Sequence, residues 1–535
     1  MTDRKYKIFL LLAISGVLTG LTVVLPALGF LEWLTLAPAA LFLLVEASDP
    51  GRRLKSLYGY GLFFFMCFYT VGFHWFISLY PLDFIDGMTP LAAIAVVLAG
   101  CVGLSFIQAL FGGLLFVALG ILFRTELLTR RGFLKPILLA AAWAVYEWTQ
   151  TLGWWGVPWA RLPIGQSKYI VGLQTASLFG SYFITFALLL VNALAAYAFL
   201  NRKSILCVKC AAAFAAAVLV FQYGAGCVLY FTDGEVESKT VRVAAIQGNI
   251  SSKDKWGLGT LSKIMNIYED YTVKAADEGA DVVVWPETVI PHVITEGSLA
   301  YARISELADE RDIVILVGAF CASEDGEGDY NSVFCFLPDG SVHEQIYSKR
   351  RLVPFGEFVP MRTLVTALIP PLADLVMSGE DLLWGEDTAV MDTDYGNIGS
   401  LICFDSIYDG LSVDSVRAGA EMLCLSTNDS WFGASAGVYM HNAQSQLRAI
   451  ENGRYVVRSA NTGISTVIDN KGNVLTMLDP LVEGYVIEDV EVRSSTTLYT
   501  AIGNSFVYAA ILAYACIVCG DLIRKIIEKS KKDNK

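Results

Sequence analysis

Three apolar, strand-like runs in this chain end on groups that can do chemistry. Val282-Val283-Val284-Trp285-Pro286-Glu287 ends in a carboxylate. Tyr347-Ser348-Lys349 brings an ammonium to a strand end, ahead of the Pro/Gly loop Val353-Pro354-Phe355-Gly356-Glu357, which carries a second carboxylate. Gly399-Ser400-Leu401-Ile402-Cys403-Phe404-Asp405 ends in a thiol with an acid two residues on. Brought together, a carboxylate could take the thiol proton, the thiolate could attack a carbonyl carbon, and the ammonium could stabilise the developing oxyanion. That is acyl transfer through a thioester. Singly, each residue has a plainer reading: a turn glutamate, a solvated lysine, a core cysteine.

A rival nucleophile is present. Gly433-Ala434-Ser435-Ala436-Gly437 fits the G-x-S-x-G elbow, and His441 follows it. The elbow should follow a strand and open a helix; here it follows Trp431-Phe432-Gly433 and reads as a flexible loop. The four histidines (His74, His292, His343, His441) form no metal-ligand pair at helical spacing, so no metal is expected, and acyl transfer through a thioester needs no organic cofactor. The C-x-x-C pairs Cys207/Cys210 and Cys516/Cys519 lie in apolar helix without a nearby histidine and read as small packing residues. Pairing among Cys321, Cys335, Cys403 and Cys424 stays open.

The elements that must position these groups begin near residue 241. Strands are predicted over Val241–Gln247, Asp281–Trp285, Ile313–Phe320, Ser332–Leu337, Ser341–Tyr347, Asn397–Cys403, Met422–Ser426 and Tyr455–Ala460. Helices are predicted over Leu261–Glu278 and Ala300–Arg311, and Asp339-Gly340 is a hairpin signal. Strands alternating with helices indicate α/β layers.

Around this block the chain is different. Residues 233–497 hold 41 Asp and Glu against 18 Lys and Arg, a net of −23; the remainder holds 11 against 21, a net of +10. With 55% hydrophobic residues and a mean hydropathy of +0.52, the chain is neither disordered nor wholly soluble, and its net charge of −13 argues against nucleic acid. Seven apolar spans are predicted before the acidic block, at about 8–27, 30–47, 57–80, 90–122, 134–152, 169–200 and 205–231, and an eighth at about 498–522. Basic residues mark every second loop: Arg4, Lys5 and Lys7; Arg52, Arg53 and Lys55; Arg124, Arg130, Arg131 and Lys135; Arg202 and Lys203; and the C-terminal tail. By the positive-inside rule these are cytoplasmic, which places the acidic block on the extracytoplasmic side. The expected organisation is a seven-span domain (1–232), an extracytoplasmic catalytic domain (233–497), and a final helix with a basic cytoplasmic tail (498–535). Glu147, within the fifth span, is a candidate for contact with lipid.

The order and wording of the segments resemble the nitrilase, or carbon–nitrogen hydrolase, superfamily, and within it the membrane branch of apolipoprotein N-acyltransferases. The matching segments are Ala245-Ile246-Gln247-Gly248-Asn249-Ile250 with Lys255-Trp256, Trp285-Pro286-Glu287-Thr288, Tyr347-Ser348-Lys349, and Leu352-Val353-Pro354-Phe355-Gly356-Glu357-Phe358-Val359-Pro360. Cys403, Ser426-Thr427-Asn428-Asp429-Ser430-Trp431-Phe432-Gly433, His441, Gln444, Arg448, Glu451, Arg454 and Arg458-Ser459-Ala460-Asn461-Thr462-Gly463 continue the series, with Gly156-Val157-Pro158-Trp159 and Gly180-Ser181-Tyr182 in the membrane half.

The resemblance implies an α-β-β-α sandwich outside a membrane domain of about eight spans. It implies Cys403 as nucleophile, Glu287 as general base and Lys349 as the oxyanion-stabilising cation. Glu357 would support the site, and Trp256 and Trp431 would be loop aromatics that meet lipid or peptide. In one place the chain departs from the pattern: Phe404-Asp405 stands where the family has Tyr-Glu. Phe404 is expected to line the acyl or acceptor pocket, and Asp405 to hold the site loops or the incoming amine. The implied reaction moves a fatty acyl chain from a phospholipid to the N-terminal amine of an S-diacylglyceryl-cysteine lipoprotein, in the cytoplasmic membrane, by a monomer. A membrane-tethered amidase that gives the acyl group to water and a non-catalytic lipoprotein-binding protein are the alternatives.

Overall fold

The structure, a computed structural model, describes every residue except 1, 83–86, 233–238, 252–254, 256, 258, 369–379 and 534–535, and omits the side chains of Thr2, Asp3 and Leu368. The chain forms two compact units. One comprises Met1–His74, Leu98–Thr232 and Ile502–Lys535; the other comprises Trp75–Val97 and Asp233–Ala501.

The first unit is helical. Among the described residues of the whole chain, six stretches are long and apolar enough to cross a bilayer: Arg4–Val24, Pro26–Ala47, Pro90–Phe123, Ser181–Leu200, Ile205–Phe231 and Ser505–Asp533. Helices Leu54–Gly72 and Lys135–Thr149 occupy the third and fifth predicted places but run for only 19 and 15 residues. The predicted span at 169–200 is interrupted. Short helices Ile170–Leu173 and Ala176–Phe179 lead to Gly180 at φ +77°, and the long helix starts at Ser181. The second span is also irregular, passing from 3-10 (Pro26–Leu31) through α (Glu32–Thr35, Ala37–Phe42) to π (Leu43–Ala47).

Broken backbone at membrane depth needs partners from protein rather than lipid. Asn192 supplies them. Its Nδ2 donates to the Glu32 carbonyl at 2.9 Å, and its Oδ1 accepts from the Leu36 N–H at 3.0 Å. Glu147 is likewise held within the protein. It is buried, and its carboxylate accepts from the Leu162 N–H at 3.1 Å and from the Thr185 hydroxyl.

The second unit carries two sheets. The strands are β1 (Lys239–Gln247), β2 (Val282–Val284), β3 (Ile290–Val293), β4 (Val314–Ala322), β5 (Asp329–Phe336), β6 (Tyr347–Ser348), β7 (Val390–Thr393), β8 (Gly396–Ile402), β9 (Met422–Thr427), β10 (Val456–Ala460), β11 (Thr466–Ile468), β12 (Val474–Met477) and β13 (Gly484–Val492). The first sheet has the order β13-β1-β2-β4-β5-β6, with β3 also on β4; the second has the order β12-β11-β10-β9-β8-β7. The centre of each is parallel: β1, β2 and β4 in one, β8, β9 and β10 in the other.

Parallel strands are buried on both faces and need apolar residues on both, and the period-2 alternation sorts them. Val241, Val243 and Ala245 face the second sheet, in a core shared with Ile398, Ile402, Met422, Cys424 and Val457. Ala244 and Ile246 face the other way, packing with Ile264, Tyr268, Ile304 and Ala308 on helices Leu261–Asp277 and Leu299–Arg311. Helices Asp409–Arg417 and Ala436–Asn452 complete a four-layer α-β-β-α sandwich. All eleven cysteines are free thiols.

The structure departs from the expected strand set in two ways. Residues 341–346 are not a strand: Val342 makes one bridge to Phe336, and pairing resumes only at β6. The Asp339-Gly340 turn forms, with Gly340 at φ +76°, but the returning arm soon leaves the sheet. β3, β7, β11, β12 and β13 were not predicted. They are short, at sheet edges or partly exposed, and so lack a sustained apolar run.

Candidate active site

The strand ends of the second unit converge. β2 stops at Val284, and Trp285-Pro286 carries the chain over the sheet to Glu287. Gly318 on β4 makes room for this crossing: a Cβ there would stand 2.3 Å from the Pro286 carbonyl oxygen and 2.8 Å from the Glu287 Cα. Glu287 is 6% exposed. Its Oε1 accepts from Lys349 Nζ at 2.7 Å and from Asn331 Nδ2 at 2.8 Å, and its Oε2 accepts from the Asn428 N–H at 2.9 Å. Lys349 is fully buried just beyond β6 and also donates to Glu357 Oε1 at 2.9 Å. Glu357 in turn accepts from Asn331 Nδ2 and from the Val353 N–H. One ammonium between two carboxylates, with an asparagine bridging the same two, makes a closed polar square.

Cys403 follows β8 on the first residue of a 3-10 turn, Cys403–Ile407, with φ +47°. A non-glycine residue in the left-handed region costs about 1–3 kcal/mol and persists only where surrounding structure imposes it. Thr288, next to Glu287, has φ +47° as well, a genuine outlier for a β-branched residue. Lys255 holds that turn, donating to the Glu287 carbonyl at 3.0 Å and to the Thr288 hydroxyl. Glu287, Lys349, Cys403, Asn331, Glu357, Asn428 and Trp431 line one open-mouthed cavity, about 540 Å³ when the space open to solvent at its mouth is included.

The electrostatics follow from burial and pairing. Burial opposes the charge on Glu287, but the Lys349 ammonium holds its carboxyl below the usual range. Burial likewise opposes the charge on Lys349, and the Glu287 and Glu357 carboxylates hold its ammonium well above the ordinary value. Burial, then the nearby Glu287 charge, pushes the Cys403 thiol up. Burial lowers Lys255 to about 8. The resting arrangement is therefore a neutral thiol beside an ionised carboxylate and a charged lysine, in which a proton can move from sulfur to oxygen.

Two family models match the chain. That of the apolipoprotein N-acyltransferase N-terminal domain covers residues 15–194, and that of carbon–nitrogen hydrolase covers 242–498. The apolipoprotein N-acyltransferase of Geobacter metallireducens is 30% identical over 97% of this chain and 96% of its own length. The chain belongs to the apolipoprotein N-acyltransferase family. The family's enzyme from Gloeobacter violaceus is 28% identical, over 97% of this chain and 95% of its own. Among solved structures, Saccharomyces cerevisiae Nit3, a member of branch 10 of the nitrilase superfamily, aligns at 20% identity with a TM-score of 0.39, over 49% of this chain and 93% of that one. As an apolipoprotein N-acyltransferase, the chain is a membrane-associated acyltransferase whose function is lipoprotein N-acylation.

The other residues singled out in the sequence take varied places. Trp256 lies outside the described residues. Trp431 ends a 3-10 turn, Asp429–Trp431, on the cavity wall. Phe404 does not line this cavity among the described residues. The strand stops at Ile402, the 3-10 turn redirects the chain, and the half-buried Phe404 ring packs edge-on against Tyr408 at 5.5 Å.

Asp405 is fully buried. Its carboxylate accepts from the Tyr347 hydroxyl at 2.9 Å, the Arg351 N–H at 2.8 Å and the Ile402 N–H at 3.1 Å. It holds the loop that carries Lys349 onto the turn that carries Cys403. Burial raises it to about 6.

Ser435 is the N-cap of helix Ala436–Asn452, its hydroxyl accepting from the Gly437 N–H at 3.2 Å. The G-x-S-x-G stretch is thus a helix start, and His441 is turned elsewhere. Sequence reading missed Asn331 and Asn428 as partners of Glu287. An asparagine within a strand and one just after a strand carry no local signal for such a contact.

Proposed function

We propose that Glu287, Lys349 and Cys403 transfer a fatty acyl chain from a phospholipid to the N-terminal amine of an S-diacylglyceryl-cysteine lipoprotein, through a thioester on Cys403. The observation that carries this reading is the ionised, lysine-paired Glu287 carboxylate sharing one cavity with the Cys403 thiol. Glu287 takes the thiol proton as sulfur attacks the ester carbonyl. The negative charge that develops on that oxygen is met by Lys349. The tetrahedral intermediate collapses, the C–O bond breaks, and the proton held by Glu287 goes to the departing lysophospholipid oxygen. The lipoprotein amine then attacks the thioester carbonyl, Glu287 takes a proton from nitrogen, and the thiol is restored as the C–S bond breaks. No redox partner is needed. One chain supplies every group, so a monomer suffices. Both substrates are held by membrane, which agrees with a cytoplasmic-membrane enzyme whose catalytic unit faces the extracytoplasmic side.

The test is to incubate the full-length protein in detergent with phospholipid and a diacylglyceryl lipopeptide, and to weigh the products. The lipopeptide should gain one acyl chain while lysophospholipid appears, and Cys403→Ser should do neither, since Glu287 is too weak a base to activate a hydroxyl. Free fatty acid with an unmodified lipopeptide would make water the acceptor and the protein an amidase. Near-normal transfer by Cys403→Ser would end the thioester mechanism.

A further inference from the structure

The left-handed turn at Cys403 has no glycine to make it easy, so something must hold it. The Cys403 carbonyl is the visible handle. It accepts from the Ser406 hydroxyl at 2.8 Å and from His441 Nε2 at 3.2 Å. Because a carbonyl only accepts, the hydrogen in the second contact belongs to the imidazole, and Nε2 shares it with Ser406 Oγ, 3.0 Å away, whose own hydrogen goes to the same carbonyl. His441 is itself fixed from behind: its Nδ1 lies 2.9 Å from Asp429 Oδ1 and 3.0 Å from Arg458 Nη2. Asp429 also accepts from the Thr427 hydroxyl at 3.0 Å and from the Arg458 guanidinium. His441, Asp429, Arg458 and Ser406 are all buried to 1% exposure or less. Gly463 must be a glycine for this packing, since a Cβ there would stand 2.2 Å from Asp429 Oδ2. Asp429 directly follows Asn428, whose N–H binds Glu287 Oε2. The same short segment, 427–429, therefore holds the base from one side and the support of the thiol turn from the other.

We propose that His441 is a positioning residue for the acyl-transfer reaction: backed by Asp429 and Arg458, its Nε2–H pins the Cys403 carbonyl and so keeps the turn that aims the thiol at Glu287 and Lys349. It touches no reacting atom. This rests on the reading of Cys403 as nucleophile given above.

Two amide replacements separate this role from general support. In His441→Gln the amide nitrogen reaches about where Nε2 was, retaining the hydrogen bond to Cys403 and losing the one behind. In His441→Asn the amide oxygen stands about where Nδ1 was, able to accept from Arg458, and the hydrogen bond to Cys403 is lost. The experiment measures kcat and KM for lysophospholipid release by the full-length protein in detergent, with a saturating diacylglyceryl lipopeptide as acceptor, together with the thermal unfolding temperature. His441→Asn should lose roughly 10- to 100-fold in kcat with the phospholipid KM little changed, as misplaced reacting groups do. His441→Gln should retain most of kcat although it unfolds at a lower temperature, because it takes away the ring nitrogen that accepts from the buried Arg458 guanidinium. Equal kcat losses in the two variants, or activity that simply follows unfolding temperature, would overturn the proposal. If Cys403→Ser were also active, the thioester reading would fail first, which distinguishes the two failures.

Discussion

The thiol of Cys403 is pushed up by burial and by Glu287, so thiolate is scarce at neutral pH. Glu287 is held ionised by Lys349 well into the acid range. A base that is already ionised makes the reactivity of the thiol nearly independent of pH between the two ionisations; without it, reactivity must rise with the thiolate fraction. Alkylation of Cys403 by iodoacetamide should therefore vary little between about pH 6 and 8 in the native protein. In Glu287→Gln it should be slower at pH 6 and rise by about tenfold per pH unit. Tryptic mass spectrometry of the labelled cysteine measures both. Parallel pH slopes in the two proteins would remove Glu287 as the base.

At the scale of elements, the site depends on how the turn after β8 meets the loop after β6. Asp405 makes that junction with three accepted hydrogen bonds, two from backbone N–H groups on different elements. Leaving buried donors unpaired costs about 1–3 kcal/mol each. Asp405→Ala should therefore displace Lys349 and Cys403 relative to one another and slow both chemical steps. In a single-turnover experiment, lysophospholipid release and lipopeptide N-acylation should fall by similar factors, of roughly 10-fold or more. A loss confined to N-acylation would place Asp405 with the incoming amine instead. Helix Ala436–Asn452 shows the same dependence on neighbours. It carries Asn442, Gln444, Ser445, Arg448, Glu451 and Asn452, all buried, and pairs Arg448 with Glu451 at 2.6 Å.

For the molecule as a whole, the distribution of charge governs orientation. The acidic residues concentrate in 233–497, and the basic ones lie in alternate loops of the apolar frame. On the positive-inside rule we expect a reporter fused after residue 240 or 480 to be active only on the extracytoplasmic side, and one fused to the C-terminal tail only in the cytoplasm. Cytoplasmic activity of the first two fusions would reverse the topology.

The sequence by itself determined what is written in local patterns. Apolar runs marked six long apolar helices among the eight spans expected, period-2 and period-3.6 stretches marked the α/β block, and three strand ends marked Glu287, Lys349 and Cys403. Each signal spans a few residues, so it survives without knowledge of neighbours. The tertiary structure decided what depends on distant partners. β13 pairs with β1 from the far end of the catalytic block, Lys239 opposite Val492, and nothing in either strand names the other. Asn331 and Asn428 become partners of Glu287 only because β5, β9 and β2 end in the same place. Asp405 turns inward because the strand stops one residue before Cys403, and His441, read in sequence beside a serine elbow, reaches instead the carbonyl of a cysteine 38 positions earlier. Burial is the physical reason in every case: a polar group hidden from water must find its partner wherever the fold places one, and sequence spacing does not record where that is.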